Sequence, residues 1–217
     1  MISPAVEDYL KTIFKMGEGA PVTTNDLAEE LGVAAPSVTG MVKRLAALGL
    51  VEHRAYRGVT LTEAGRTVAL EVIRHHRLLE RYLREVVGLD WAEIHKEAEV
   101  LEHHISEAFE ARIDALLGYP THDPHGDPIP TLKGEMAATV TTALADALPG
   151  HYRVARVSDH DPALLGALEA LGLLPGAALA LEARLTGGAL RLKGDAPKAF
   201  MLPPETARHV FVEPENG

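Results

Sequence analysis

The chain has 217 residues, 47% of them hydrophobic and 24% charged, a formal net charge of −10 and no cysteine. That length suits two or three compact units with ample material for cores, and the lack of cysteine excludes disulfides and thiolate metal sites. The opening Met1-Ile2-Ser3-Pro4-Ala5 has no charged stretch followed by an apolar one, and Glu169, Gly172, Pro175 and Gly176 interrupt the most apolar run, Leu164 to Leu181. Neither a secretory signal nor a membrane span is therefore expected, and a cytoplasmic protein without a membrane partner is the default.

Ser3-Pro4 supplies a hydroxyl cap and a proline in the first turn, so a helix is expected to about Met16, ending at Gly17-Glu18-Gly19. Thr23-x-x-Asp26 resembles a capping box and opens a short helix to Leu31. After the turn Gly32-Val33-Ala34-Ala35, Pro36 starts a third helix with Val38, Met41, Val42, Leu45 and Leu48 at core spacing. Val51 to Leu61 reads as a β-hairpin turning at Tyr56-Arg57-Gly58. This order of helices and hairpin is that of a winged helix-turn-helix. Its third helix presents Ala34, Pro36, Ser37, Thr39, Gly40, Lys43 and Arg44, and its wing presents Arg54 and Arg57, to double-stranded DNA. No Asn or Gln stands there for a bidentate base contact, so phosphate contacts and DNA shape carry much of the expected recognition. Residues 36–66 carry a net +3 within an acidic chain, which fits phosphate binding. A winged helix used only for protein contacts is the alternative.

Thr62 caps a long helix expected from Glu63 to Val87, and Asp90 opens another expected to reach Leu117. Metal-ligand side chains concentrate here: His76 and Glu80 on the first, His95, Glu99, Glu102 and His103 on the second, with Asp8 in reserve near the N-terminus. At about 100° per residue, His95, Glu99, Glu102 and His103 share an arc of roughly 100°. Ile94, Ala98, Leu101 and Ile105 form the adjoining apolar stripe, and His104 falls on the opposite side. A lone His-x-x-x-Glu is weak evidence, since about one is expected by chance in this composition. Glu102 and His103 on the same face as His95, beside a second helix with its own pair, point to metal. Residues 67–130 carry 6 basic and 13 acidic groups, so the acid gathers where divalent cations would sit. Val68, Ile73, Leu78, Leu83, Phe109, Ile113 and Leu116 give these helices more apolar surface than one small domain buries, so a homodimer on a two-fold-symmetric DNA site is expected.

Gly118 to Pro130 is an irregular loop rich in His, Asp and Pro, and residues 131–150 read as a linker with some helix. From about His151 the period becomes β-like, with Val154, Val157, Leu179, Leu181, Leu185, Leu190 and Leu192 in short runs around one helix, Pro162 to Leu171. A small β-barrel of about 60 residues follows from these runs.

The chain resembles the diphtheria-toxin-repressor family of metal-dependent transcriptional regulators, and within it the manganese-responsive branch in its long form. The resemblance is carried by Glu7-Asp8-Tyr9-Leu10-Lys11-Thr12-Ile13, Pro36-Ser37-Val38-Thr39, His76-Arg77-Leu78-Leu79-Glu80, Gly88-Leu89-Asp90, Glu99-x-x-Glu102-His103 and His125-Gly126-Asp127-Pro128-Ile129-Pro130. It implies a mostly α protein with small β parts: a winged helix-turn-helix DNA-binding domain at 1–74, a helical metal-binding and dimerisation domain at 75–140, and an SH3-like (FeoA-like) β-barrel domain at 150–217. It also implies a repressor of metal-ion homeostasis genes, activated for binding an inverted-repeat operator by Mn²⁺ or Fe²⁺, with Zn²⁺, Co²⁺ or Cd²⁺ as substitutes in vitro. The implied primary metal site is Asp8, Glu99, Glu102 and His103, and the ancillary one His76, Glu80 and His95. Iron-responsive members carry cysteine and methionine at the positions of Glu99 and Asp8; hard oxygen ligands there favour Mn²⁺. Asp159 and Asp161 match positions that donate to the ancillary site in some members, and Asp123 and His125 match metal-binding loop positions in some long-form members; a role as plain turn residues is the even alternative for all four. Lys11 replaces a carboxylate that builds a two-metal cluster in shorter members, so separated sites are expected.

Two other classes compete with a metal-sensing regulator. A metal-dependent hydrolase or oxidase would want a His-Glu-x-x-His or a di-iron Glu-x-x-His pair, and the sequence has neither. A regulator that senses a small organic ligand would leave the acidic helices incidental. No enzyme and no organic substrate are therefore expected.

Overall fold

The computed structural model describes residues 2–17, 20–54, 57–159, 161–194 and 199–215. The chain divides into two compact units, Met1–His76 with Leu101–Ser106 and Pro130–Glu135, and Arg77–Val100 with Glu107–Ile129 and Met136–Gly217.

The first unit holds α1 (Pro4–Gly17), α2 (Thr24–Glu30), α3 (Ala35–Ala47), the hairpin β1 (Val51–Arg54) and β2 (Gly58–Leu61), and the first part of α4 (Glu63–Tyr82). Thr23 caps α2 by accepting from the Asp26 amide, and Pro36 lies in the first turn of α3, as the sequence predicts. Val6, Leu10 and Ile13 from α1, Leu27 from α2, Val38, Val42 and Leu45 from α3, and Val51 and Val59 from the hairpin form its core. Leu48, expected in that core, is 57% exposed because α3 ends at Ala47 and Leu48 belongs to the turn. Glu18, Gly19, Ala55 and Tyr56, from the expected helix end and wing turn, lie outside the described residues. A Cβ on Gly65 would come within 1.9 Å of the Leu50 carbonyl oxygen, so α4 starts hard against the end of α3 and β1. Thr62 fixes that junction, donating to the Gly49 carbonyl and accepting from the Gly65 amide.

The second unit continues α4 from Arg77 into a π-helical turn (Leu83–Val87), closed by Gly88 at φ +81°. The helix expected from Asp90 to Leu117 is instead two, α5 (Trp91–Leu101) and α6 (Glu107–Leu116). Ser106, a residue type suited to restarting a helix, directly precedes α6. The break lifts Glu102 and His103 off the helical surface and buries the Glu102 carboxylate in the first unit. No helix forms in residues 131–150; the short strand β3 (Thr142–Ala143) lies there.

The remaining strands, β4 (Gly150–Val157), β5 (Ala178–Arg184), β6 (Leu190–Lys193), β7 (Phe200–Leu202) and β8 (Val210–Pro214), join β3 in one antiparallel sheet of order β3-β8-β4-β5-β6-β7. α7 (Pro162–Ala170) follows β4 and the short α8 (Pro204–Ala207) follows β7. Alternate residues of the strands are buried, among them Val154, Leu179, Leu181, Leu190, Leu192 and Val212. Leu185 is 42% exposed, since it closes the β5–β6 hairpin through its bond with Ala189. Of the residues expected to cover a dimer face, Ile73, Leu78, Leu83 and Ile113 are buried within the chain and Val68 is half-buried, whereas Phe109 and Leu116 are exposed, as are Val100 and Leu101. No helix among the described residues is long and apolar enough to cross a membrane.

Candidate metal centres and nucleic-acid face

α3 buries Val38, Val42 and Leu45 and exposes Pro36, Ser37, Thr39, Lys43 and Arg44. The amphipathic spacing thus turns the whole predicted recognition surface to solvent. The Thr39 hydroxyl donates to the Ala35 carbonyl, which leaves its methyl group outward. On the wing, Arg54 pairs with Glu52 at 3.2 Å, both well exposed, and Arg57 is exposed.

The first cluster lies in the first unit, between one face of α1 and the 101–106 turn. Helical spacing stacks Glu7 and Asp8 one turn from Lys11. The turn brings Glu102 and His103 to them. His103 Nδ1 is 2.6 Å from Glu7 Oε2, and its Nε2 is 2.9 Å from Asp8 Oδ1 and 3.5 Å from Glu102 Oε1. With its proton on Nδ1 donated to Glu7, the ring would turn its Nε2 lone pair towards Asp8 and Glu102, as a metal ion requires. One ligand atom each from Asp8, Glu102 and His103 lie within 4.8 Å of one another. Glu102 is almost fully buried; Lys11 Nζ donates to both of its oxygens, at 2.6 and 2.9 Å, and His76 Nδ1 approaches Oε2 at 2.5 Å. His75 Nδ1 lies 3.2 Å from the Glu102 carbonyl.

The second cluster lies in the second unit and draws on four segments: Glu80 from α4, His95 from α5, Asp123 and His125 from the 118–130 loop, and Asp159 just past β4. His95 Nδ1 is 3.0 Å from Glu80 Oε1 and 3.8 Å from Asp159 Oδ2, and its Nε2 is 3.7 Å from Glu99 Oε1 one turn on. His125 Nδ1 is 3.5 Å from Glu80 Oε2. Glu80, Asp123 and His125 offer ligand atoms within 4.8 Å of one another. Asp123 Oδ1 accepts from the His125 and Asp127 amides, which shapes the loop and leaves Oδ2 turned towards Arg77 at 3.5 Å.

Burial is what suits this cluster to a cation. Glu80 and His125 are fully buried, and neither ring nitrogen of His125 has a hydrogen-bond partner among the described residues. A buried imidazole lacking both bonds is costly unless something else satisfies it. Desolvation, joined by the charges of Glu80 and Asp127, pushes the Asp123 carboxyl up to about 7 against the pull of Arg77 and His125. For His125, desolvation opposes the charged ring, but Glu80, Asp123 and Asp159 outweigh it and raise its pKa. Two carboxylates and an imidazole, all buried, fit a divalent cation.

The loop is held on both sides. Arg77 donates to the Pro128 carbonyl and faces Asp127; the Val157 amide donates to the His125 carbonyl at 2.9 Å. Gly126 sits at φ +90°, where a Cβ would come within 2.1 Å of the Ala155 carbonyl oxygen. The Trp91 ring stacks on His125 at 5.4 Å.

Of the residues named from sequence, Asp8, Glu102 and His103 therefore converge in one place, and Glu80, His95, Asp123, His125 and Asp159 in another. Asp161 joins neither; its carboxylate caps α7 by accepting from the Ala163 amide at 2.9 Å. Sequence reasoning missed Glu7 as the partner of His103, and Trp91 as the ring over His125. The adjacency of Glu7 to Asp8 was visible in the sequence, but the one of the two that meets Nδ1 depends on where the 101–106 turn puts the ring.

Comparisons with known proteins cover nearly the whole chain. A family model described as iron dependent repressor, N-terminal DNA binding domain, matches residues 1–59; one described as iron dependent repressor, metal binding and dimerisation domain, matches 62–131; and the FeoA domain matches 142–214. The iron-dependent repressor IdeR of Mycobacterium tuberculosis is 35% identical over 221 residues, covering 95% of this chain and 96% of that protein. The diphtheria toxin repressor of Corynebacterium diphtheriae is 35% identical over 162 residues, 70% of this chain and 72% of that one. Among solved structures, a manganese-dependent transcriptional repressor in complex with manganese superposes with a TM-score of 0.87 at 38% identity, covering 95% of this chain and 98% of that chain. ScaR with bound Cd²⁺ gives a TM-score of 0.80 at 35% identity, covering 97% and 99%.

Proposed function

The chain belongs to the iron-dependent repressor family of metal-dependent, DNA-binding transcriptional regulators, and within it we propose a cytoplasmic homodimeric repressor that grips an inverted-repeat operator when Mn²⁺ is bound. The primary site is Asp8, Glu99, Glu102 and His103. The ancillary group is His76, Glu80, His95 and Asp159, with Asp123 and His125 adding donors on the loop side. Three carboxylates and one imidazole make the primary set hard, which suits Mn²⁺. Fe²⁺ is the next candidate, and Zn²⁺, Co²⁺ and Cd²⁺ bind such donors in vitro by the general affinity order. The protein acts by binding, without catalysis and without an organic substrate.

The observation that carries this reading is the meeting of Asp8, Glu102 and His103 within 4.8 Å. Asp8 belongs to the first helix of the winged domain, while the other two lie some 95 residues further on. An ion bound by all three ties the DNA-reading module to the 101–106 turn, and so lets metal bias the arrangement that fits both half-sites. Pro36, Ser37, Thr39, Lys43 and Arg44 then enter the major groove, with Arg54 and Arg57 on phosphates. The exposed Phe109, Leu116, Val100 and Leu101 favour pairing of two chains.

A titration of the full chain against an inverted-repeat promoter fragment, with and without Mn²⁺, tests this. Wild-type protein should bind in a Mn²⁺-dependent manner as a dimer. Asp8→Ala should keep the fold and the dimer while losing about 5–150-fold in operator affinity, the usual range for such coupling. Operator binding by Asp8→Ala at wild-type affinity with the same Mn²⁺ dependence, or a monomer by light scattering, would refute it.

A further inference from the structure

We infer that Trp91 is the positioning residue of the second cluster: its indole, stacked on the buried His125 ring, sets the plane of that imidazole in place of the hydrogen bond that usually orients a metal-bound histidine. This rests on the metal-binding reading above and adds to it the residue that aims one of the ligands.

The backbone around His125 is fixed. Its amide donates to Asp123 Oδ1, its carbonyl accepts from the Val157 amide, and the neighbouring Gly126 lies against the backbone of Ala155 and Arg156. None of these bonds fixes the ring. Rotation of a histidine ring about Cβ–Cγ has only broad, roughly two-fold preferences. Metal-ligating histidines usually settle it by donating the other ring N–H to a carboxylate, a carbonyl or water. His103 follows that pattern through Glu7 Oε2, at 2.6 Å. His125 does not: it is fully buried, and neither ring nitrogen has a hydrogen-bond partner among the described residues.

What meets the ring is the indole of Trp91. The two rings are 18° from parallel with centroids 5.4 Å apart, an offset stack. Trp91 is itself only 3% exposed, and it opens α5 one turn before His95. One helix face thus supplies both a candidate ligand and the ring that aims another. With its face on the indole, the His125 imidazole turns its edge, and so its nitrogens, off the stack; Nδ1 then lies 3.5 Å from Glu80 Oε2. An imidazole that gives its lone pair to a cation becomes electron-poor, and positive charge within about 6 Å of an indole face is held more firmly. The stack therefore favours the loaded state as well as aiming the ligand.

The test compares a flat replacement with a merely bulky one. Mn²⁺ uptake by full-length protein is measured by equilibrium dialysis, and the ion lost in His125→Ala marks the second cluster. Trp91→Phe keeps a flat ring and should hold that ion within about threefold of wild-type affinity. Trp91→Met fills the space without a flat face and should hold it on the order of tenfold more weakly. Circular dichroism checks that both variants fold. A folded Trp91→Met with wild-type affinity overturns the inference. So does a Trp91→Phe that loses as much as Trp91→Met, because packing alone would then account for the residue. Nuclear magnetic resonance of the metal-free protein reads the stack directly: the His125 ring protons, identified by their absence from His125→Ala, should be shifted upfield by the indole. Should Trp91→Met not fold, this shift decides alone, and His125 protons at the position of an unstacked imidazole overturn the inference. His125→Ala separates this from failure of the underlying reading. If a folded His125→Ala binds as many ions as wild type, His125 holds no metal and both claims fall; if it binds fewer while Trp91→Met binds like wild type, only the role of Trp91 falls.

Discussion

Removing the Glu7 carboxylate should weaken metal binding at the first cluster without removing a ligand. Glu7 Oε2 lies 2.6 Å from His103 Nδ1, and His103 is mostly buried while Glu7 is partly exposed. A hydrogen bond to a charged group is worth about 1.5–3 kcal/mol, and solvent at Glu7 trims this. What remains matches the general cost of losing the partner that orients a metal-bound imidazole, about 10–100-fold in affinity, or some 1.4–2.7 kcal/mol. Glu7→Gln keeps the size and one acceptor and should fall at the low end; Glu7→Ala frees the ring and should fall at the high end. Competition with a chelator measures Mn²⁺ affinity directly, and circular dichroism checks that the fold is intact. A folded Glu7→Ala with wild-type Mn²⁺ affinity would show that His103 is oriented by something else, and the assignment of Nε2 as the metal-facing atom would lose its basis.

Acidity should act on the second cluster with opposite sign in the two states of loading. Folded Asp123 keeps its proton to about pH 7 against 3.8 ordinarily, and His125 also keeps its proton to higher pH when folded. The native metal-free protein therefore binds more protons than the unfolded chain in this window, so its stability should fall as pH rises through about 7. Metal needs both groups deprotonated, so the rise in Tm on adding Mn²⁺ should grow over the same interval; melting curves across pH with Asp123→Asn as control check both, and an unchanged slope in that variant would count against the assignment. Gly126→Ala, at φ +90° and 2.1 Å from the Ala155 oxygen, should cost about 2–4 kcal/mol in urea unfolding and loosen metal at the second cluster; near-wild-type stability would contradict that close approach. Glu99→Cys should move metal preference in DNA binding towards Fe²⁺, Co²⁺ or Zn²⁺, because a thiolate is softer than a carboxylate, and an unaltered ranking of metals would remove Glu99 from the ligand set.

The winged helix was legible because its signals are local: Thr23-x-x-Asp26 caps, Pro36 starts, and Val38, Val42 and Leu45 keep a strict helical period. The candidate ligands stand out in the sequence by type and spacing, and Asp8, Glu102 and His103 do meet. Their geometry does not. A helical wheel placed Glu102 and His103 on a continuous helix, whereas α5 stops at Leu101 and a turn carries both. The period of apolar residues cannot report such a break, because Ile94, Ala98 and Ile113 keep their burial on either side of it. Asp159 and Asp161 look alike in sequence; only the start of α7 decides that Asp161 is a cap and Asp159 remains near His95. The surplus of apolar side chains on α4 was likewise overstated, since Ile73, Leu78 and Leu83 find their cover within the chain.

The clamped loop has a consequence for how this chain can be shortened, by an engineer or by descent. The His125 carbonyl is satisfied by the Val157 amide, and Gly126 lies flush on the backbone of residues 155–156. A chain cut before β4 would leave that carbonyl without its donor and Gly126 without the backbone it lies on. The loop and the sheet therefore form one cassette: a truncation that keeps the loop should also keep β4, and a loop transplanted without its sheet would arrive misshapen.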